Sequence, residues 1–268
     1  YFEAEHAGVT AMFLMGCGGD QNPYPRGKLE QAQQHGRALA NAVEAALLPK
    51  PRPVAGPLRL ALEEVELQFA PPPTRDELLR LQESNDKTDT RRAAILLDEI
   101  ERNGKIRDTY DYPIQVARFG DDILLVALAG ETVVDYSLRL KRGLAGGATV
   151  WIAGYSNDVF GYVPSLRVLR EGGYEGGGAM RHTSLPGPFA DSVEERIVGK
   201  VHELVERVVL RFLLDLRHVR AGFVRFRQLV RLALADTHDD AGQTRLGLRA
   251  GRNFHLHALH RRVVGIFD

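Results

Sequence analysis

The sequence predicts an α/β fold, a mixed sheet with β-α-β units and flanking helices, from three observations. A continuous apolar run, Ile123-Leu124-Leu125-Val126-Ala127-Leu128, lies between Gly120-Asp121-Asp122 and Gly130, the pattern of a strand buried on both faces. Thr132 to Arg142 then sets Val133, Val134, Leu138 and Leu140 on a helical stripe, closed by Gly143 to Gly147. A second apolar run, Thr149 to Ala153, follows and leads into Gly154. Strand, helix and strand make a β-α-β unit, and sites in open α/β sheets gather at the carboxyl ends of strands. Glu131 and the loop from Gly154 to Tyr162 are therefore expected to face one crevice. By spacing alone, Glu131 reads first as a charge partner of a helix N-terminus and second as a ligand.

The remaining elements follow in order. Phe2 to Gly8 looks like the end of a helix entered partway, and with Tyr1 in first place the expectation is a chain lacking its natural N-terminal portion. Ala11 to Met15 reads as a strand running into Gly16-Cys17-Gly18-Gly19-Asp20-Gln21-Asn22-Pro23, a Gly/Asn/Pro turn in which Asp20 can satisfy backbone donors. Leu29 to Leu48 is an Ala-rich helix ended by Pro49-Lys50-Pro51, and Leu58 to Phe69 alternates like a half-exposed strand. Thr74-Arg75-Asp76-Glu77 is a capping box, and a charged helix runs from about Lys87 to Arg102, ending near Gly104. Tyr112 to Phe119 is the hairpin partner of the strand at Ile123. Gly172 to Gly178, broken by Tyr174 and Glu175, is a glycine-rich loop that reads equally as a closing flap or a plain surface turn. Ser192-Val193-Glu194-Glu195 is a second capping box, opening a helix that runs to about Leu214.

Composition narrows the function classes. With 268 residues, 44% of them hydrophobic, the chain can bury a substantial core. Its 35 basic and 35 acidic residues balance, giving no overall pull toward nucleic acid or an anionic membrane, and no nucleic-acid partner is expected. The one cysteine, Cys17, excludes an intrachain disulfide and reads as an inert buried thiol. No run approaches the length of a membrane-spanning helix and no signal peptide is visible. From residue 201 onward there are 12 Arg and no Lys against 5 Asp and 2 Glu, a net of +5. This shift motivates a boundary near Val209, with residues 210–268 an Arg/His-rich tail from a shifted reading frame or a fusion. His255, His257 and His260 in that tail have no acidic or cysteine ligand beside them at metal-site spacing.

Four short stretches carry a family resemblance. Gly130-Glu131-Thr132-Val133-Val134, Gly154-Tyr155-Ser156-Asn157 with Tyr162, and Tyr174-Glu175 stand in one ungapped register, and Gly19-Asp20 with Pro23 lies upstream. The chain resembles the neutral ceramidase family, whose motifs are Gly-Glu-Phe-Thr-Thr, Gly-Leu-x-Asn leading to a tyrosine, Tyr-Glu, and Gly-Asp-Val-Ser-Pro-Asn. Thr132 stands where the family has Phe, Asn22 where it has Ser, and Tyr24 where it has Asn, so a serine nucleophile is excluded at that position.

The resemblance implies that residues 1–209 are part of a catalytic domain of a zinc amidohydrolase, which splits the N-acyl amide of ceramide into a fatty acid and a sphingoid base. It implies Glu131 and Tyr162 as zinc ligands, Tyr174 as the oxyanion donor, and Asp20 as a catalytic-loop residue. Two histidine ligands complete the family's site upstream of the Gly-Asp motif, where this chain has only His6; His6 and His35 both read as ordinary surface histidines. A pair of oxygen ligands, one a normally protonated phenol, is expected to hold zinc poorly at neutral pH. The resemblance also implies a ceramide-like lipid partner, contact with a membrane surface, and a secreted, periplasmic or membrane-associated location. A truncated homologue acting as a metal-free binding module, and a zinc hydrolase of a non-lipid amide, are the competing readings.

Overall fold

A computed structural model of the chain describes residues 1–209; the expectations for the tail, including its histidine cluster and the helix end at Leu214, lie outside the described residues. The elements in chain order are α1 (Phe2–Glu5), α2 (Leu29–Leu47), β1 (Leu58–Gln68), α3 (Arg75–Gln82), α4 (Lys87–Asn103), β2 (Thr109–Phe119) and β3 (Ile123–Leu128). They continue with β4 (Glu131–Thr132), α5 (Val134–Gly143), β5 (Thr149–Ala153), β6 (Tyr162–Val163), α6 (Leu166–Glu171) and a 3-10 turn at Gly178–His182. A final helix, α7, occupies residues 193–209.

The expected α/β class is what forms. Four strands make a mixed sheet in the order β1-β2-β3-β5, antiparallel across its first two pairs and parallel between β3 and β5. The parallel pair is joined through α5, so the unit predicted around Leu124 is a true β-α-β crossover. β4 and β6 form a separate two-stranded parallel ladder just beyond the carboxyl end of β3.

One face of the sheet builds the core. Leu67, Tyr112, Ile114, Val116, Leu124, Val126, Leu128 and Ile152 point inward and meet Tyr136 and Leu140 of α5. α7 adds Val193, Ile197, Val201, Leu204 and Val208, whose spacing of three and four residues keeps them on one helical stripe. Each such side chain contributes about 1.5–3 kcal/mol by leaving water. A smaller cluster, Leu78, Ala93, Leu96, Leu97 and Ile106, closes α3 against α4. α4 ends as read, with Gly104 in the left-handed region at φ 77°. The Thr74 capping box forms in full, Thr74 accepting from the Glu77 amide and Glu77 accepting from the Thr74 amide at 2.7 Å.

Several expectations are corrected. Ala11–Met15 is not a strand: Met12 and Phe13 are 93% and 73% exposed, and only the Met15 carbonyl engages the sheet, accepting from the Gly154 amide at 3.1 Å. Thr132 belongs to β4 rather than to the helix, because its backbone pairs with Val163; the helix starts at Val134. β3 and β5 are not buried on both faces. Ile123 and Leu125 are half-buried and Trp151 is exposed, since the outward face of the sheet also presents Leu58, Leu60 and Leu62 to solvent. The Ser192 capping box does not close either: the buried Ser192 hydroxyl has no partner, and Glu195 pairs with Arg139 of α5 instead.

Candidate active site

Glu131 and Tyr162 are direct register partners in the β4–β6 ladder. Residues opposed in a parallel ladder project to the same side, so the carboxylate and the phenol stand next to each other. Backbone bonds fix this pairing: the Glu131 amide donates to the Gly161 carbonyl at 2.8 Å, the Gly130 amide to the Asp158 carbonyl at 2.8 Å, and the Tyr155 amide to the Gly130 carbonyl at 2.9 Å. Gly130 makes the bend possible. Its φ is +69°, and a Cβ there would lie 2.8 Å from both the Gly161 carbonyl oxygen and Val163 Cγ2. The strand end and the 154–162 loop are therefore brought together as the sequence predicts, at the carboxyl ends of β3 and β5.

The Tyr155 hydroxyl donates to Glu131 Oε2 at 3.2 Å. Tyr155 holds φ +52°, a left-handed conformation that a bulky side chain adopts at a cost. Burial, and then the negative charge of Glu131 and hydrogen bonding to it, push the Tyr155 phenol up to about 12. The same causes in the same order push Tyr162 up to about 12. Both phenols are thus protonated donors around a carboxylate at neutral pH. The Tyr174 ring packs edge-on to Tyr162, centroids 5.3 Å apart, and the residue is 52% exposed. His182 follows, its ring 6.3 Å from that of Tyr174.

Asp20 reaches the cluster from the far end of the sequence. Its Oδ1 accepts from the Val134 amide at 2.8 Å, satisfying an orphan donor in the first turn of α5, while the Gly19 amide donates to the Thr132 carbonyl at 2.9 Å. The loop lies so close to β4 that a Cβ on Gly19 would sit 2.4 Å from the Glu131 carbonyl oxygen. Asp20 therefore clamps the 16–23 loop to the base of the site, the donor-satisfying role that its turn also suggests. Thr132, by contrast, is fully buried beside Cys17 and Gly154, on the side of the ladder away from Glu131. Cys17 is buried as expected, and burial pushes its thiol up.

Sequence reasoning did not single out Tyr155 or His182. Tyr155 stands where the resembled motif has an aliphatic residue, and that departure was the one available signal; His182 has none beyond following the glycine-rich loop. His6 and His35 are engaged elsewhere, His6 with Glu44 and His35 with the Pro25 carbonyl at 2.8 Å.

The donor set bears on zinc. Glu131 and Tyr162 offer two adjacent oxygens, but no group of three His, Cys, Asp or Glu side chains able to hold a metal exists among the described residues. A zinc site takes three or four protein ligands, generally with nitrogen or sulfur among them. The described residues thus fit zinc only as part of a ligand set.

No family model and no curated protein matches the chain. Among solved structures it is similar to the neutral ceramidase from Pseudomonas aeruginosa, at 19% identity and a TM-score of 0.48, over 75% of this chain and 38% of that one. It is also similar to a ceramidase complexed with C2, at 18% identity and a TM-score of 0.39, over 62% of this chain and 32% of that one. The chain therefore spans 38% or less of the length of these two ceramidases, to which it is similar.

Proposed function

We propose that the chain carries one side of a zinc-dependent amide-hydrolysing site whose substrate is the N-acyl amide of ceramide or a related lipid, with a fatty acid and a sphingoid base as products. The observation that carries this reading is the pairing of Glu131 with Tyr162 and the packing of Tyr174 on Tyr162, which joins in one cluster the residues marked by the motif resemblance. Zinc, when bound, supplies Lewis acidity toward the amide carbonyl and an activated water. Glu131 supplies the anionic ligand, and Tyr155 orients it by holding Oε2. Tyr162 supplies the neighbouring oxygen. Tyr174 would donate to the carbonyl oxygen as negative charge develops there, a role that its exposure and its packing on Tyr162 support. Asp20 keeps the floor of the site in register with α5.

A second reading, a metal-free binding module, is favoured by the Tyr155–Glu131 hydrogen bond, which already gives the carboxylate a proton donor. Zinc titration of the full chain against a chromophoric chelator separates the two. The amidohydrolase reading expects a site that Glu131→Ala abolishes and Tyr162→Phe weakens. Zinc uptake that Glu131→Ala leaves unchanged overturns it, and uptake that is absent assigns this chain by itself to the metal-free reading. Comparing a fluorescent ceramide with an N-acyl amino acid as substrate then decides between lipid and non-lipid amides.

A further inference from the structure

A second site lies where α4 meets the 3-10 turn. Lys87, Thr88, Arg91, Arg92 and Ile95, one face of α4, line a cavity of about 380 Å³ with Arg181 and the residues that follow it to Ser184. Four permanent cations converge there and no carboxylate is in the lining. Arg181 is the one already neutralised: it pairs with Asp86, and with Asp89 at 2.9 Å. Those two bridges hold the turn against the helix and so shape the cavity. The Lys87 and Arg91 side chains have neither an ion pair nor a hydrogen bond among the described residues. Arg92 is half-buried; its terminal nitrogen donates to the Pro186 carbonyl, but its buried Nε has no partner. Burial pushes the Arg92 guanidinium down, Asp89 opposing and Arg181 adding to the shift.

We propose that this cavity binds a phosphoryl group, carried by a small molecule or by a lipid headgroup. Its four cations against Asp86 and Asp89 leave a net charge of +2, the complement of a phosphate monoester, whose charge near neutral pH is about −1.5 to −2. Guanidinium groups match phosphate oxygens in paired hydrogen bonds, and Ser184 adds a hydroxyl-bearing residue to the lining, while Thr88 is engaged with Asp86. The inference is independent of amide hydrolysis at Glu131.

The test uses the full chain and the double variant Lys87→Glu/Arg91→Glu, both positions being exposed, so that folding is preserved. Calorimetric titration with inorganic phosphate at fixed ionic strength is expected to give a Kd of about 1 mM or tighter, weakened about tenfold or more by the variant. Sedimentation with phosphatidylcholine vesicles, with and without phosphatidic acid, identifies the source. Variant-sensitive retention on the phosphatidic acid vesicles assigns a headgroup, and phosphate binding without retention assigns a soluble phosphate ester. Absence of both forms of binding, or binding that the charge reversals leave unchanged, overturns the proposal. Arg92→Lys, which keeps the charge but loses the fork, provides a second check and is expected to weaken phosphate binding while leaving its salt dependence in place.

Discussion

The region from Ala129 to Val163 and the arm formed by residues 1–48 are both made of amphipathic or glycine-punctuated sequence, yet they relate to the core in opposite ways. In the first, Tyr136, Val133 and Val163 are wholly buried, and successive backbone bonds tie the 154–161 loop to the end of β3. In the second, α2 has no buried residue, and Leu29, Leu39, Val43 and Leu47 are 70%, 52%, 39% and 49% exposed. The arm touches the site only through residues 15–20. Hydrophobic periodicity dictates that a segment coils into a helix; it does not dictate which surface receives it.

The contrast is broken most severely at the one place where arm and core interlock. Gly19→Ala pushes a methyl group into the β4 backbone, where neither partner can yield without losing the Gly19–Thr132 bond. A loss of about 3 kcal/mol in unfolding free energy is expected, measured by urea denaturation with the single tryptophan, Trp151, as the fluorescent probe. A loss below about 1 kcal/mol would mean that the loop rides on β4 as loosely as the rest of the arm. Asp20→Ala is the next in size. It strips the acceptor from the Val134 amide, a capping loss of about 1 kcal/mol. Asp20→Asn keeps an acceptor oxygen, so recovery in the Asn variant marks Asp20 as a structural anchor; failure to recover points to a role for its charge.

How far the site was legible in the sequence follows from the same physics. The β-α-β unit was readable because Ile123–Leu128 and Thr149–Ala153 are unbroken apolar runs between glycines, and parallel pairing follows from the crossover helix. The β-α-β topology brings Glu131 and the 154–162 loop to one crevice, but the choice of Tyr162 within that loop rests on the motif resemblance. The ladder joining Glu131 to Tyr162 is two residues long, too short for any period, and it depends on the positive φ of Gly130 and Gly161. The apolar stripe of its neighbours extends the helical pattern to Thr132, whereas a tertiary backbone pairing with Val163 decides its state. Tyr155 escaped notice because its left-handed φ comes from the loop's attachment to β3, not from any preference of tyrosine. Cations spread over α4 and the turn after Met180 were invisible as a group, since only the fold brings Arg181 to Asp86 and Asp89.

The smallest expected effect sharpens the contrast from the arm's side. Leu39 lies near the middle of α2 and is 52% exposed, so Leu39→Ser removes little buried surface and leaves the helix's backbone bonds intact. Its cost is expected to stay within about 0.5 kcal/mol, in the same urea titration that reports Gly19→Ala. A cost above about 2 kcal/mol is what large-to-small changes in a closed core produce, and would show that this face of α2 is covered in solution. Exposure of the native chain to a protease cutting after Arg37 supplies the independent readout. An uncovered α2 is cleaved there while the sheet, followed through Trp151, remains folded, because local opening of a helix with no buried residue, held by a few contacts to Tyr1, His6 and Pro25, costs far less than global unfolding.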